Sequence, residues 1–204
     1  MLKQVSELMI YGDKTNDRFF EYFCEKGFLA LFNRVMRETR EATVQKQVLQ
    51  SIMILMQNIT NERSLFYLLS NNHINALLAA PFDAADEELL AYHVSLIKAL
   101  SLQLNSATVH FFYNERARLI GFPLYTQAIK YMSHPDAMVQ TAVRTTTLNV
   151  FRVPEPSVRT FVSSGARLQF FDRLAFCAGQ HVLNLNQRVA EAVAASKGWE
   201  LRLH

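Results

Sequence analysis

One sequence pattern recurs at nearly regular intervals along the 204-residue chain. A short apolar segment containing a phenylalanine closes on a polar or glycine-containing turn, and a further apolar helix is predicted to follow. The phenylalanines are Phe20, Phe66, Phe111 and Phe161, with spacings of 46, 45 and 50 residues. Periods of about 40–47 residues are typical of armadillo and HEAT repeats. The spacing therefore predicts a stack of helical units, because one such unit cannot bury its apolar face alone.

Each unit is predicted to end in a longer amphipathic helix. The first starts near Thr43, and its apolar face recurs at steps of 4, 4, 3 and 4 through Val44, Val48, Ile52, Leu55 and Ile59. The second is predicted to open at Asp83, with the acidic run Asp86-Glu87-Glu88 in its first turn. Exposed amides and the helix dipole favour negative charge there. The inner stripe of this helix is expected to comprise Leu89, Leu96 and Leu100.

The third long helix and the last unit follow the same order. The helix is predicted to start at Pro135-Asp136, because proline suits the first helical position. Its inner face is expected to comprise Val139, Val143, Thr146, Val150 and Val153. Pro154-Glu155-Pro156 is expected to end it. The last unit is predicted to run from Ser157, through a turn at residues 163–165, to helices that end near Trp199.

Composition favours helices over strands. Half of the residues are apolar, and the 6 glycines and 5 prolines are too few for the many turns of a β-sandwich or barrel. No segment alternates polar and apolar residues long enough to predict a sheet. The predicted fold class is therefore all-α, a right-handed α-solenoid of about four armadillo/HEAT-like units. Residues 1–153 are expected to form the repeats, and residues 154–204 a continuing repeat or a C-terminal cap of the same solenoid.

The sequence lacks the usual motifs of catalytic and cofactor-binding proteins. The two nearest glycines, Gly165 and Gly179, are fourteen residues apart, which excludes a glycine-rich phosphate loop. No two histidines lie three to five residues apart, and two distant cysteines, Cys24 and Cys177, cannot form a structural zinc site. We therefore predict a protein that is not an enzyme and has no cofactor, metal ion or small-molecule substrate.

Three side chains are the candidates for an unrecognised catalytic function: Cys24, His93 and His110. Cys24 lies between Phe23 and Glu25 without a neighbouring base, so a buried, inert thiol is favoured over a nucleophile. His93 falls on the apolar stripe of the second long helix. This position favours a hydrogen-bonded structural histidine over a surface or switch residue.

Charge is unevenly distributed along the chain. Residues 1–106 contain 10 basic and 12 acidic side chains, and residues 107–204 contain 11 and 6, so the net charge is −2 against +5. The basic residues are dispersed, so no nucleic-acid partner is predicted. No run of about 20 apolar residues is present, and membrane contact is expected to be peripheral. The candidate contacts with anionic membranes or a partner are Arg116, Arg118 and Lys130, around the loop before residue 122.

The tripeptide Phe122-Pro123-Leu124 resembles the signature of the FPL domain. Five further blocks resemble that domain in the same order and at similar spacing, namely residues 11–14, 67–71, 87–92, 108–114 and 141–150. The similarity covers roughly residues 2 to 153. The FPL domain is the amino-terminal module of a family that includes the animal C-type lectin domain containing 16A proteins, the fly endosomal maturation defective protein and the plant transparent testa 9 protein.

This resemblance implies a function in intracellular membrane traffic. Proteins of the family act in endosome-to-lysosome maturation, Golgi and vacuolar transport, and autophagy. The resemblance implies a cytoplasmic protein, peripheral on endosomal, lysosomal or Golgi membranes, with trafficking or autophagy proteins as partners. Family members are several times longer than this chain, so we expect either a domain of a longer protein or a reduced form.

Together, the repeats and the resemblance predict a non-catalytic adaptor. Its concave face, built from the long helices, is expected to bind a helix or extended segment of a trafficking partner. The alternative is a peripheral module that binds anionic membranes through the basic second half. An accessory subunit of ubiquitin-ligase machinery is the less favoured third function, because two cysteines cannot form a RING module.

The FPL tripeptide itself has two interpretations. In the structural one, which we favour, Pro123 fixes the start of a helix while Phe122 and Leu124 attach that start to the core. In the functional one, Phe122 is an anchor for a partner protein.

Overall fold

The computed structural model describes residues 2–114, 121–163 and 169–200. Within these ranges every regular element is helical, which confirms the all-α prediction for them, and Asn114 and Gly121 form an isolated β-bridge. A short 3₁₀ turn, Ser70–Asn72, joins α5 to α6. The helices are α1 (Leu2–Thr15), α2 (Arg18–Glu25), α3 (Phe28–Glu38), α4 (Ala42–Asn58), α5 (Glu62–Leu69), α6 (His73–Leu78), α7 (Glu87–Ser101), α8 (Val109–Phe112), α9 (Pro123–Lys130), α10 (Ala137–Arg152), α11 (Pro156–Ser163) and α12 (Gln169–Glu200).

The chain divides into two compact units, Met1–Val158 and Arg159–His204. In the first unit, the four longest helices pack side by side in the order α1, α4, α7 and α10. We call this arrangement the long-helix row. The apolar faces predicted from the sequence are buried in it, although Val44 is only half-buried. Each of α4 and α7 therefore buries apolar side chains against a neighbour on either side.

The shorter helices of the first unit pack in the same succession. Helix α2 packs against α5, α3 against α6, and α6 against α9. Helix α8 lies beside the 3₁₀ turn, and the Phe66 ring of α5 lies 5.5 Å from the Phe111 ring of α8. From α1 to α7, each helix thus contacts the helix three positions further along the chain, as expected when successive groups of three helices stack on one another.

Buried amide side chains connect successive groups of helices. Asn33 Nδ2 on α3 donates to the carbonyl of His73, at 2.9 Å, where α6 begins. Asn75 Nδ2 on α6 donates to the carbonyl of Phe111 on α8, at 2.7 Å. Both bonds satisfy a backbone oxygen near a helix end with a side chain from the preceding group. These two bonds also fix how one group of helices is aligned along the next group.

Asp13, near the end of α1, makes a similar connection. Its carboxylate accepts hydrogen bonds from the backbone N–H groups of Thr60, at 2.9 Å, and Asn61, at 3.3 Å. Burial raises the pKa of Asp13, but these hydrogen bonds outweigh burial and hold the pKa below its usual value. The charged carboxylate therefore ties α1 to the segment between α4 and α5.

Two helix starts differ from the sequence prediction. Helix α7 begins at Glu87 rather than Asp83, because Asp86 is its N-cap and accepts from the Leu89 N–H at 2.9 Å. Asp83 instead accepts from the Ala85 N–H at 2.9 Å, within the preceding turn. Pro135 precedes α10 rather than starting it, because Asp136 is the N-cap. In both cases the capping carboxylate, and not the first acidic or proline residue, marks the helix start.

The second unit also departs from the sequence prediction. Residues 169–200, expected to form more than one helix, form the single helix α12, and Gly179 lies within it without interrupting it. The predicted turn at residues 163–165 lies mostly outside the described residues. One face of α12 exposes apolar side chains three or four residues apart over most of its length, namely Phe171, Leu174, Ala178, Val182, Leu185, Val189 and Val193.

The close approach of α1 and α2 leads to a stability prediction. A Cβ atom added at Gly12 would lie 2.4 Å from Cβ and 2.6 Å from Cγ of Phe19, whereas one at Gly179 meets no atom within 4 Å. We expect Gly12→Ala to lower the free energy of unfolding by about 1–3 kcal/mol, because the Phe19 Cβ cannot move without its backbone. Chemical denaturation followed by circular dichroism measures the change.

Gly179→Ala is the matched control. It should leave stability unchanged or raise it by up to about 1 kcal/mol, because alanine favours a helix interior over glycine. Equal losses in the two variants would contradict the close packing of α1 on α2.

Candidate functional site

In the long-helix row, α4, α7 and α10 each leave one face exposed. On this face the side chains recur at steps of three or four residues, with one step of seven on α4, and most of them are uncharged and polar. Amide and hydroxyl groups both donate and accept hydrogen bonds, so the surface suits the backbone of another protein chain. We call it the long-helix face, comprising Thr43, Gln47, Gln50 and Gln57 on α4, Glu88, Ala91, Ser95, Lys98 and Leu102 at α7, and Thr141, Thr145, Leu148 and Arg152 on α10.

An ion-pair cluster occupies the seam between α4 and α7 at the N-terminal end of α7. Lys46 Nζ lies 3.0 Å from an Asp86 oxygen and 2.7 Å from a Glu88 oxygen. Hydrogen bonds to Glu88 and Asp86 raise the pKa of Lys46. The Leu89 N–H and Lys46 together lower the pKa of Asp86. The positive charge of Lys46 is therefore already compensated within the chain.

The other end of the same seam is open. A groove of about 380 Å³ lies there between α4 and α7, and its lining residues are Met56, Gln57, Ser95, Lys98, Ala99, Leu102 and Gln103. Gln103 Nε2 donates to the Met56 carbonyl at 3.3 Å and joins the two helix ends. Lys98 is half-buried and makes no ion pair with any residue that the structure describes. We call this cavity the seam groove.

A second groove, of about 520 Å³, lies where the turn between α3 and α4 meets the loop before α7. Gln45 closes its floor by donating to the carbonyls of Met36, Thr39 and Pro81, at 3.1, 3.2 and 3.4 Å. Charges of both signs line it, so it favours neither anions nor cations; the charged residues are Arg37, Arg40, Asp83 and Asp86.

Of the three basic residues singled out from the sequence, the structure describes Lys130, which lines neither groove. Arg116 and Arg118 lie outside the described residues. Lys130 is exposed at the end of α9, where its Nζ donates to Gln127 Oε1 at 2.8 Å. The use of these three residues in membrane or partner contact stays a prediction.

The FPL tripeptide lies where α9 begins. Pro123 takes the first position of the helix, and Phe122 and Leu124 have no exposed surface. The Phe122 ring lies 5.9 Å from the Tyr113 ring and 6.1 Å from the Tyr125 ring. A side chain enclosed in this way cannot contact a partner without a local rearrangement, so its burial supports the structural interpretation of the tripeptide.

The three candidate catalytic side chains lie on three different helices. Cys24 on α2 is half-buried, not fully buried as expected; its Sγ lies 3.9 Å from the Tyr67 carbonyl, and burial raises the pKa of the thiol. His110 on α8 is exposed and lies 4.0 Å from a Glu155 carboxylate oxygen. Among the described residues, the Cys24 thiol therefore has neither the neighbouring base nor the lowered pKa that a nucleophile requires.

His93 on α7 is completely buried, as expected of a structural histidine. Its Nε2–H donates to the Leu78 carbonyl at 3.2 Å, and its ring lies 4.5 Å from the Phe82 ring and 6.2 Å from the Tyr131 ring. The pKa of His93 is lowered to about 4, mainly by burial and also by the Lys130 charge, against the opposing effect of the bond to Leu78. The imidazole is therefore neutral near pH 7.

The described residues also bear on metal and membrane binding. Among them, no three His, Cys, Asp or Glu side chains lie close enough together to hold a metal ion. Within the same ranges, no helix combines the length and the apolar character that a membrane crossing requires.

The sequence pattern does not predict the seam groove. Residues 88, 91, 95, 98 and 102 recur at steps of 3, 4, 3 and 4, opposite the inner stripe of α7. This spacing identifies the exposed face of the helix. It does not show that the end of α4 lies beside Lys98, because that neighbour is more than 40 residues away in sequence.

The fold and the site thus define an all-helical protein whose long helices pack in a row and expose a polar, grooved face. Residues 2–151 match the FPL family, which is described as an uncharacterised conserved protein, a description that names no reaction. The chain belongs to the FPL family, and the resemblance seen in the sequence is confirmed. None of the solved structures matches it.

Relatives in animals and plants match most of the chain. It is 43% identical over 187 residues to the protein CLEC16A homolog of Drosophila melanogaster, covering 91% of this chain and 17% of that relative. It is 40% identical over 190 residues to protein CLEC16A of Homo sapiens, covering 92% and 18%. It is 35% identical over 189 residues to protein TRANSPARENT TESTA 9 of Arabidopsis thaliana, covering 92% and 23%. The chain therefore spans less than a quarter of the length of these relatives.

The burial of His93 predicts how stability depends on pH. The unfolded histidine takes up a proton near its ordinary pKa of 6.5, whereas the folded one does so only near 4. The contribution of the neutral, buried His93 to the free energy of unfolding is therefore complete above pH 6.5. This contribution is lost as the pH falls towards 4, by up to about 3 kcal/mol. Urea unfolding at pH 7 and pH 4.5 should show a smaller loss for His93→Gln than for the parent chain.

The exposed His181 on α12 provides the control, since His181→Gln should keep the pH dependence of the parent chain. NMR titration of the His93 ring in the parent chain checks the same point independently of any variant. An ordinary histidine pKa in that titration would contradict the neutral, buried imidazole.

The enclosed Phe122 ring leads to a further prediction. Phe122→Ala should lower the free energy of unfolding by about 3–5 kcal/mol, because it leaves a cavity in the core. Phe176→Ala is the matched control, since Phe176 is 66% exposed on α12. Thermal unfolding measures both. A Phe122→Ala variant with an unchanged melting temperature and weaker partner binding would instead support the anchor interpretation.

Proposed function

We propose that this chain is a non-catalytic adaptor of intracellular membrane traffic and autophagy, which binds a segment of a partner protein across the long-helix face. The observation that carries the proposal is the long-helix face on α4, α7 and α10, most of whose side chains are uncharged and polar. Such a surface supplies hydrogen-bonding groups to an extended chain at the spacing of successive helices.

The proposal includes the architecture. The row is the inner layer of a right-handed armadillo/HEAT-like solenoid, and the long-helix face is its concave surface. The succession of groups of three helices supports this, as do the bonds from Asn33 to His73 and from Asn75 to Phe111, which span 40 and 36 residues. In such arrays each repeat contacts its neighbours, and the inner helices line the binding surface.

The cellular context rests on family membership. From that membership we infer a chain in the cytoplasm, peripheral on endosomal, lysosomal or Golgi membranes, with trafficking or autophagy proteins as partners. The alternative function is direct binding of anionic membranes, for which exposed Lys130 is the described candidate contact. The long-helix face favours the adaptor, because uncharged amides and hydroxyls do not attract an anionic surface.

A quantitative pull-down from cell extract tests the adaptor. The chain is compared with a face variant combining Gln50→Arg, Ser95→Arg and Thr141→Arg, one exposed position on each of α4, α7 and α10. Glu21→Arg, at an exposed position of α2, is the control. We expect trafficking or autophagy proteins to be recovered by the parent and the control and lost with the face variant. Equal recovery by all three, or recovery of no such protein, would count against the adaptor.

Liposome flotation tests the alternative. Vesicles of phosphatidylcholine with and without phosphatidylserine are mixed with the parent chain and with Lys130→Glu. Flotation that requires phosphatidylserine, weakens with salt and is lost in Lys130→Glu would favour membrane binding over the adaptor. We expect no such dependence.

A further inference from the structure

We propose that the seam groove receives an acidic side chain from a linear segment of the partner protein, with Lys98 as its counter-ion. This inference rests on the proposed function and specifies the chemistry of the partner. The groove offers a cation, two amides and a hydroxyl around an apolar floor; the polar members are Lys98, Gln57, Gln103 and Ser95.

The inference rests on a difference in ion pairing between two lysines that border the same seam. Lys46, beside the N-terminal end of α7, lies within 3.0 Å of two carboxylates of this chain. Lys98, three helical turns further along α7, has no carboxylate partner among the described residues and borders a cavity of about 380 Å³. A half-buried ammonium group is stabilised by an opposite charge within about 4–6 Å. The groove therefore has the charge and the space to take a carboxylate.

The polar side chains around Lys98 suit the two oxygens of such a group. Gln57 and Ser95 are exposed, and neither makes a side-chain hydrogen bond within the part of the chain that the structure describes. Gln103 Nε2 donates one hydrogen bond to the Met56 carbonyl. An amide and a hydroxyl are thus free to donate to a carboxylate that already pairs with Lys98.

Apolar residues continue from the groove onto α10. Asn149 Nδ2 donates to Ser101 Oγ at 3.1 Å, which brings the end of α7 beside α10. The sequence neighbours of this bonded pair, Leu102 and Leu148, are 63% and 67% exposed. Arg152, one turn beyond Leu148, is exposed. The surface therefore fits a segment in which an acidic residue is accompanied by apolar residues.

Other anionic partners fit this surface less well. A nucleic acid or an anionic membrane requires several cations spread over a contiguous area. Here Lys98 and Arg152 are separated by two exposed leucines, and Glu88 lies on the same face of α7. One carboxylate in a groove, with apolar neighbours on either side, matches this distribution of charge. A peptide supplies that arrangement, and its backbone meets the amides of the long-helix face.

Selection from a displayed library of random linear peptides tests the inference on the full chain. The parent chain, Lys98→Glu, Lys98→Arg and the matched surface control Lys26→Glu, at an exposed position after α2, are used, and circular dichroism confirms that each is folded. We expect the parent to enrich peptides that contain Asp or Glu beside apolar residues. A synthetic peptide of the enriched sequence should bind Lys98→Glu at least about tenfold more weakly, because like charges then meet in the groove.

The remaining variants and a vesicle assay complete the test. Binding should persist in Lys98→Arg and Lys26→Glu, because the first keeps the charge and the second lies outside the groove. Enriched peptides without acidic residues, or equal binding to Lys98→Glu, overturn this inference and leave the proposed function standing. Failure to enrich any peptide overturns both. Lys98-dependent flotation with phosphatidylserine vesicles, in place of peptide binding, also overturns the inference in favour of a lipid headgroup.

Discussion

Burial of the long helices on both flanks is the constraint on which the rest of the first unit depends. Helix α4 packs between α1 and α7, and α7 packs between α4 and α10. An isolated group of three helices would leave one of these apolar flanks in water, so each group is stabilised by the groups before and after it. The same geometry leaves each long helix with one exposed face, and those faces together form the candidate binding surface.

Polar side chains then fix the register in which the groups stack. Apolar packing alone tolerates small displacements along a helix, whereas a hydrogen bond from a side chain to a buried carbonyl does not. Asn33, Asn75 and the Asp13 carboxylate each bind backbone atoms of the following group. A further bond, from Gln103 Nε2 to the Met56 carbonyl, joins the end of α4 to the end of α7 beside the seam groove.

His93 and the FPL tripeptide, which the sequence singled out as candidate functional residues, have structural roles. His93 donates to a backbone carbonyl in an aromatic environment, and Phe122 and Leu124 are enclosed at the start of α9. Side chains without any conspicuous motif, such as Gln57, Ser95 and Lys98, line the groove instead. Recognition by an adaptor requires accessible groups that complement a partner, whereas the reactive residue types of this chain are placed by packing.

The sequence by itself determined the helical class and the inner faces of the long helices, because a helical period of 3.6 residues is a local property of the chain. It also determined the family, through the ordered blocks that accompany Phe122-Pro123-Leu124. Helix starts were predicted less well, since Asp86 and Asp136 act through bonds to N–H groups two or three residues on. Only the tertiary structure decided that Lys46 forms ion pairs with two carboxylates, whereas Lys98 has no carboxylate partner among the described residues. It also decided that a groove separates α4 from α7 at one end. These features depend on residues 40 or more positions apart in sequence, and periodicity predicts which face of a helix is exposed but not which side chain of a neighbouring helix lies across from it.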